Sequence, residues 1–328
     1  MSRVLVTGAG GAAGVAVIRS LLARRDLTVY AADMDGWAAG LYLVPAERRR
    51  LVEPGRSPGF VPGIAAVVAA DAIDVVISTV DVELAELATR RDEVAPAVLA
   101  APSADTIAVA LDKLALAERC APTVNVPRTV LAGAAALAVE WEFPVFAKPR
   151  SGAGSRGIRG VPDRAALEAL PVDEDLIVQD LLPGEEYSVD VIADRDGRVV
   201  AAVPRTRARV DSGVSIAGRT VRDDELESTA SAVARAIGLV GVANVQLRRD
   251  RAGRAALLEV NPRFPGALPL TIAAGVDIPS LVVDLFTGRE LPERLDFREI
   301  ASVRFLDDVV LDPSEVLQSE HAAHQDGE

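Results

Sequence analysis

Five polar residues in two short apolar runs carry the densest chemistry of the sequence. They are Asn244 and Gln246 in Asn244-Val245-Gln246-Leu247, and Glu259, Asn261 and Arg263 in Leu257-Leu258-Glu259-Val260-Asn261-Pro262-Arg263. Side chains two apart on a strand share a face. The spacing therefore points Asn244 with Gln246, and Glu259 with Asn261, from neighbouring strands of an expected hairpin. Such a cluster of hard oxygen donors suits Mg²⁺, which bridges one or two carboxylates and substrate phosphates while keeping water. Arg263 adds a planar cation able to pair with a phosphate oxygen. Polar residues alternating with Val and Leu also describe the wet face of an ordinary antiparallel hairpin. Against that, the Asn-Pro-Arg-Phe-Pro-Gly loop beginning at Asn261 sets Arg263 beside the cluster.

A second group lies upstream. Residues 143–149 read as a short strand with Lys148 near its end, followed by Arg150-Ser151-Gly152-Ala153-Gly154-Ser155-Arg156-Gly157-Ile158. Gly152, Gly154 and Gly157 let the loop fold close over an anion. Ser151 and Ser155 are small enough to leave backbone amides free, and Lys148 supplies a compact positive charge. The loop lacks the Gly-Lys-Ser/Thr ending of a P-loop, and a glycine-rich β-hairpin is the plainer alternative.

Residues 176–179 form an apolar strand that passes through Asp180-Leu181-Leu182-Pro183-Gly184 to a second strand at Glu185. A strand, turn and strand of this kind can link two lobes, with backbone groups on an adenine and a carboxylate on ribose hydroxyls. Glu186 is the candidate carboxylate, although an exposed turn with two solvated glutamates reads the same way. Arg205, Arg207 and Arg209 alternate on an expected strand and its loop. They then face one side and, with Arg263, could hold a substrate carboxylate; a solvated basic stripe is the competing reading. The adjoining Asp211-Ser212-Gly213-Val214-Ser215 is a candidate acceptor segment.

These residues need elements to position them. Residues 3–7, 27–32 and 74–79 read as strands, with helices after Gly14 and at 61–70 and 82–91. Alternating strands and helices imply a parallel sheet covered on both faces. The turn Gly8-Ala9-Gly10-Gly11-Ala12-Ala13-Gly14, with Asp33 after the second strand, resembles a dinucleotide fingerprint. Taken alone it suggests a nicotinamide-dependent oxidoreductase; glycines in a tight strand-to-helix turn, with Asp33 and Asp35 as solvated carboxylates, are the plainer reading. Ser103 is an expected helix N-cap, and Asp112-Lys113-Leu114 opens a further helix. Patterning then turns hairpin-rich. The expected division is 1–110 for the α/β unit, 111–180 for a lid and linking helices, 181–312 for an antiparallel unit with the metal site, and 313–328 for a polar tail.

At 328 residues the chain can bury a substantial core across two or three units. A single cysteine, Cys120, excludes an intramolecular disulfide, and no Cys/His cluster offers zinc spacing. The net charge of −13 argues against general nucleic-acid binding. Neither a secretory signal nor a membrane-spanning apolar run is present, so the expected location is cytoplasmic. His321 and His324 fall in the polar tail, where solvation is the expected role.

Taken in order, these pieces resemble the ATP-grasp superfamily, and within it short proteins related to the carbamoyl-phosphate synthase large chain, from the Gly8 turn to about Arg289. The resemblance implies a parallel α/β unit followed by a two-lobed ATP-grasp fold, a mixture of α/β and α+β architecture. It puts Lys113 and Lys148 on ATP phosphates under the 151–157 loop, Gln179, Asp180, Leu181 and Leu182 along adenine, and Glu186 on ribose. Gln246, Glu259 and Asn261 would hold Mg²⁺, with Mn²⁺ as substitute. Asn244 and Arg263 would serve the phosphate or an acyl-phosphate intermediate. Asp180 departs from the glutamate of many relatives, which leaves backbone contacts to carry the adenine. The implied reaction is ATP-dependent ligation of a small carboxylate to an amine or similar nucleophile. A non-catalytic ATP-binding regulator is the alternative outside enzymology. One ATP-grasp unit without a glutamine-hydrolysing domain argues against synthesis of carbamoyl phosphate itself. A homodimer is the usual prior for a soluble oligomer.

Overall fold

A computed structural model describes residues 1–152, 157–211 and 213–318. Gly154 and Ser155 of the glycine loop, Ser212, His321 and His324 lie outside the described residues. The chain opens with β1 (Ser2–Thr7), α1 (Ala12–Leu22), β2 (Leu27–Asp33), β3 (Arg49–Leu51), α2 (Phe60–Asp71), β4 (Val75–Ser78), α3 (Asp81–Thr89) and β5 (Val98–Leu99). These strands form one parallel sheet in the order β3-β2-β1-β4-β5. The central strands read as continuous apolar runs because helices cover both faces.

Two capped helices lead out of this unit. In α4 (Ala104–Leu111) the Ser103 hydroxyl accepts from the Thr106 amide, and in α5 (Lys113–Cys120) the Asp112 carboxylate accepts from the amides of Leu114 and Ala115. Next come β6 (Thr129–Leu131), α6 (Ala134–Leu137), β7 (Val145–Pro149), β8 (Arg159–Val161), α7 (Arg164–Glu168) and β9 (Leu176–Asp180). Their strands make a four-stranded antiparallel sheet in the order β6-β9-β7-β8. It has an apolar cluster of its own, including Ala136, Trp141, Val145, Leu167 and Val178.

The last part holds β10 (Glu186–Ala193), β11 (Val199–Thr206), β12 (Arg209–Asp211), β13 (Val214–Arg219), α8 (Asp224–Ala236), β14 (Gly241–Arg249), β15 (Ala255–Asn261), α9 (Leu268–Ala273), α10 (Ile278–Phe286) and β16 (Ala301–Val303). Strands β11-β10-β14-β15 form the large antiparallel sheet and β12-β13-β16 a small one. Helix α8 buries Leu226, Ala230, Val233 and Ala234, a stripe at helical spacing, against the large sheet. The opposite face of that sheet shares a core with the first unit: Val4, Val17 and Ile18 meet Ile192, Val200, Val242, Ile278 and Val282. Among the described residues, no helix is long and apolar enough to cross a membrane.

Candidate functional site

The second sheet and the large sheet face each other across a cleft of about 950 Å³, with the start of α1 at one end. The hairpin of β14 and β15 supplies its floor. Asn244 stands opposite Asn261, and Gln246 opposite Glu259, so the four oxygen-bearing side chains share one face and all border the cleft. The carboxylate of Glu259 and the side chain of Gln246 make no hydrogen bond or ion pair with a described residue. No group of three or more His, Cys, Asp or Glu suited to a metal occurs among the described residues. The candidate donors are instead one carboxylate and amide oxygens. That set fits a hard cation whose remaining ligands are phosphates and water.

Opposite this face stand two lysines. Lys148, on β7, is only 5% exposed. Burial pushes its ammonium down to about 8, with Glu259 pulling it back up and Lys113 pushing it further down. Lys113 is also held below the usual lysine range, by burial first, against the pull of Glu259, Asp112 and Asp81. Its position is fixed at several points. Asp112 caps α5 and pairs with Arg150 at 2.6 Å, the Lys113 amide bonds to the Arg150 carbonyl, and Lys113 Nζ donates to the Gly152 carbonyl at 2.8 Å. Two cations held close against their own repulsion are arranged for an anion.

Phe146, Ile158, Leu182 and Leu258 give the cleft apolar walls, and Gln179 and Asp180 border it at the end of β9. Gln179 donates to Thr129 Oγ1 at 2.8 Å. The Asp180 carboxylate accepts from the Arg128 amide and guanidinium, both at 3.2 Å, and Arg128 lies over the Trp141 ring. Its side chain is thus occupied, and its backbone is what remains for a ligand. Leu258 was not singled out by sequence because it sits at a β-bulge. Gln246 pairs with Glu259 but Leu247 with Leu257, so Leu258 is extra and turns to the cleft while Leu257 stays in the core. Ser151 and Gly152 border the cleft; Leu181 and Gly157 do not.

Arg205 and Arg207 both border the cleft, and Arg209 does not, which corrects the expectation that all three face one side. Arg205 is buried in a bidentate pair with Asp190, and Arg207 bonds Glu186, Ser188 and the Gly213 carbonyl. Arg209 is exposed and away from the cleft, because the chain leaves β11 at Thr206 and the β12 pairing shifts register between Arg209 and Val210. Glu186 borders the cleft with one oxygen 3.2 Å from Arg207 Nε. Arg263 reaches the first unit instead of standing free. Its Nε lies 2.9 Å from Asp81 Oδ1, a contact whose angle leaves that buried oxygen without an aligned hydrogen bond.

The glycine turn after β1 has a structural explanation. Gly8 has φ +67°, and a Cβ on Gly14 would lie 2.1 Å from the Gly8 carbonyl oxygen. The Asp33 carboxylate, which a nicotinamide reading would give to a ribose, accepts from the amides of Gly10 at 2.7 Å and Asp35 at 3.0 Å. Gly11, Ala12 and Ala13, with Thr79 and Val80, close one end of the cleft.

Fold and cleft together resemble those of ATP-grasp proteins. Residues 172–309 match the family model described as ATP-grasp in the biosynthetic pathway with Ter operon. The chain is 32% identical over 182 residues to the carbamoyl phosphate synthase large chain of Halobacterium salinarum, an alignment taking in 50% of this chain and 17% of that one. Biotin carboxylase of Campylobacter jejuni superposes with a TM-score of 0.74 at 20% identity, over 89% of this chain and 72% of that one. The biotin carboxylase domain dimer of the Hydrogenobacter thermophilus 2-oxoglutarate carboxylase, solved with MgADP and bicarbonate, superposes at 0.73 and 16% identity, over 90% and 72%. The chain thus carries a match to an ATP-grasp family model over residues 172–309 and is related in sequence to the carbamoyl phosphate synthase large chain, of which it spans about a sixth.

Proposed function

We propose that this chain is an ATP-dependent ligase that activates a small carboxylate as an acyl phosphate and transfers the acyl group to an amine or similar nucleophile, forming a C–N bond and releasing ADP and phosphate. The observation that carries this is the convergence of Lys113, Lys148 and the Gln246–Glu259–Asn261 oxygen face on one cleft. The apolar walls and the backbone of 179–182 take the adenine, and Glu186 takes the ribose. Lys113, Lys148 and the 151–157 loop take the phosphates. Gln246, Glu259 and Asn261 would hold Mg²⁺, or Mn²⁺ in its place, which neutralises developing phosphate charge. In this reading the sheet β6-β9-β7-β8 is the lid of the 111–180 unit, and 181–312 carries the floor.

The substrate carboxylate oxygen attacks the γ-phosphorus and ADP leaves. The nucleophile then adds to the acyl carbon and expels phosphate. Neither step needs a covalent protein nucleophile, so positioning and charge neutralisation carry the rate. Arg263 is the carboxylate-binding residue best placed for this, with Arg205 and Arg207 lining the adjoining wall, and the α1 end and the 211–215 segment bound the acceptor side. A cytoplasmic location and a homodimer belong to the same proposal, and light scattering of the purified chain tests the latter.

The test is ADP formation from Mg-ATP across a panel of carboxylates and amines, alone and in pairs, with Glu259→Ala in parallel. Substrate-dependent ADP release that vanishes in the variant supports the ligase. ATP binding without phosphate release for any pair favours the regulator, and NAD binding without ATP binding overturns the assignment.

A further inference from the structure

Beneath the cleft floor lies a carboxylate that no role above uses. Asp190, on β10, is fully buried. It accepts from Arg205 Nε at 2.9 Å and Nη2 at 2.7 Å, from Asn244 Nδ2 at 2.8 Å, and from Thr271 Oγ1. One carboxylate thus ties β11, β14 and α9 to β10. A buried ion pair is weak grounds for stability, since apolar side chains of similar volume often serve as well. What distinguishes this one is that two of its three partners, Arg205 and Asn244, border the cleft.

An ionised carboxylate only accepts hydrogen bonds, so Asn244 must turn its NH₂ toward Asp190. Its Oδ1 then faces away from Asp190 and receives no hydrogen bond from a described residue. Asn244 stands opposite Asn261 and two residues from Gln246 on the same face. An amide oxygen repels a phosphate oxygen, which is itself an acceptor, so Oδ1 suits a cation or a hydrogen-bond donor, and its place beside the other three oxygens favours the cation. Resting on the ATP-grasp reading above, we infer that Asp190 is a positioning residue of the metal face, holding Asn244 so that its Oδ1 joins Gln246, Glu259 and Asn261 as a fourth oxygen donor to the divalent ion. Asp190 itself never touches that ion; it acts by fixing which end of the amide is presented. Thr271 shares the carboxylate but does not border the cleft, which makes it the structural control.

The probe is Mn²⁺ titrated by electron paramagnetic resonance onto the full chain with ATP, alongside metal-free ATP binding by calorimetry. In Asn244→Ala and in Asp190→Asn the Mn²⁺ dissociation constant should rise about tenfold or more, with metal-free ATP affinity changed by less than about twofold. The double variant should be no worse than the weaker single one, because both remove the same oxygen. Thr271→Val should lower the melting temperature and leave Mn²⁺ affinity unchanged. An Asn244→Ala protein with wild-type Mn²⁺ affinity overturns the inference, whether or not Asp190→Asn folds. Additive losses in the double variant overturn the positioning role. Failure of the wild type to bind ATP at all strikes the underlying ATP-grasp reading, and this inference with it.

Discussion

Lys148 is the residue whose ionisation the fold disturbs most usefully. With no nucleotide bound it titrates at about 8, because burial outweighs the attraction of Glu259 and Lys113 adds repulsion. Phosphates arriving beside it favour the charged form and move that value back up. Below pH 7 the lysine is already charged and ATP binding should take up almost no proton through it. Between about pH 8 and 9 binding should take up a fraction of a proton. Calorimetry in buffers of differing ionisation heat reads this directly, and Lys148→Met should abolish it; equal uptake in the variant would assign the proton elsewhere. The proposed metal face makes a second prediction. One carboxylate among amide oxygens binds a divalent ion weakly unless phosphates complete the shell. Equilibrium dialysis should therefore show Mn²⁺ retention only with nucleotide, and Glu259→Gln should weaken it by at least about tenfold. The cluster at 244–261 was legible because alternation on strands is a strong constraint, and the hairpin register pairs those residues directly. The pairing of Arg205 escaped the sequence for a reason of the same kind: its partner Asp190 sits on the neighbouring strand. The polar alternation of Glu186, Ser188 and Asp190 was the signal that could have revealed it.

At the scale of the element, two local devices fix the chemistry in place. The first is the bulge in β15. Leu257 is 2% exposed in the core, whereas its neighbour Leu258 lines the cleft. Leu257→Ala should cost about 2–5 kcal/mol by denaturant melt. Leu258→Ala should cost much less stability and show itself as weaker ATP binding. Equal destabilisation of the two would mean the bulge is wrongly placed. The second is the Asp112 cap, which starts α5 and grips Arg150 at once. Burial pushes the Asp112 carboxyl up, but Arg150 and the two amides hold it below the usual range overall. A depressed carboxyl stabilises the fold above its unfolded pKa, and that contribution fades as pH falls through the folded value. Asp112→Ala should cost about 1 kcal/mol as a lost cap and weaken ATP binding by displacing Lys113. Caps and strand periods were readable from residue types alone. The bulge was not, since one extra residue in a run of Leu-Leu leaves no polarity signal.

At the scale of the molecule, the parallel sheet and the change to hairpins were legible from alternation, and the small sheet of β12, β13 and β16 was not. Its strands are short, and β16 comes from a distant part of the sequence. If the second sheet closes over ATP, the amides of residues 145–148 and of Leu176–Asp180 should exchange hydrogen more slowly with nucleotide than without. Unchanged rates in those strands despite bound ATP would remove the closing motion. The apolar clusters add one more consequence. The second sheet has its own core, while the first unit and the large sheet share theirs through α1 and α10. Residues 129–180 are therefore the part that can be exchanged between relatives as a cassette, whereas a graft of the first unit alone would cut through a common hydrophobic core. On the reading proposed above, the wall that carries Lys148 can be varied by exchange, whereas Lys113, Glu186 and the oxygen face must be varied residue by residue.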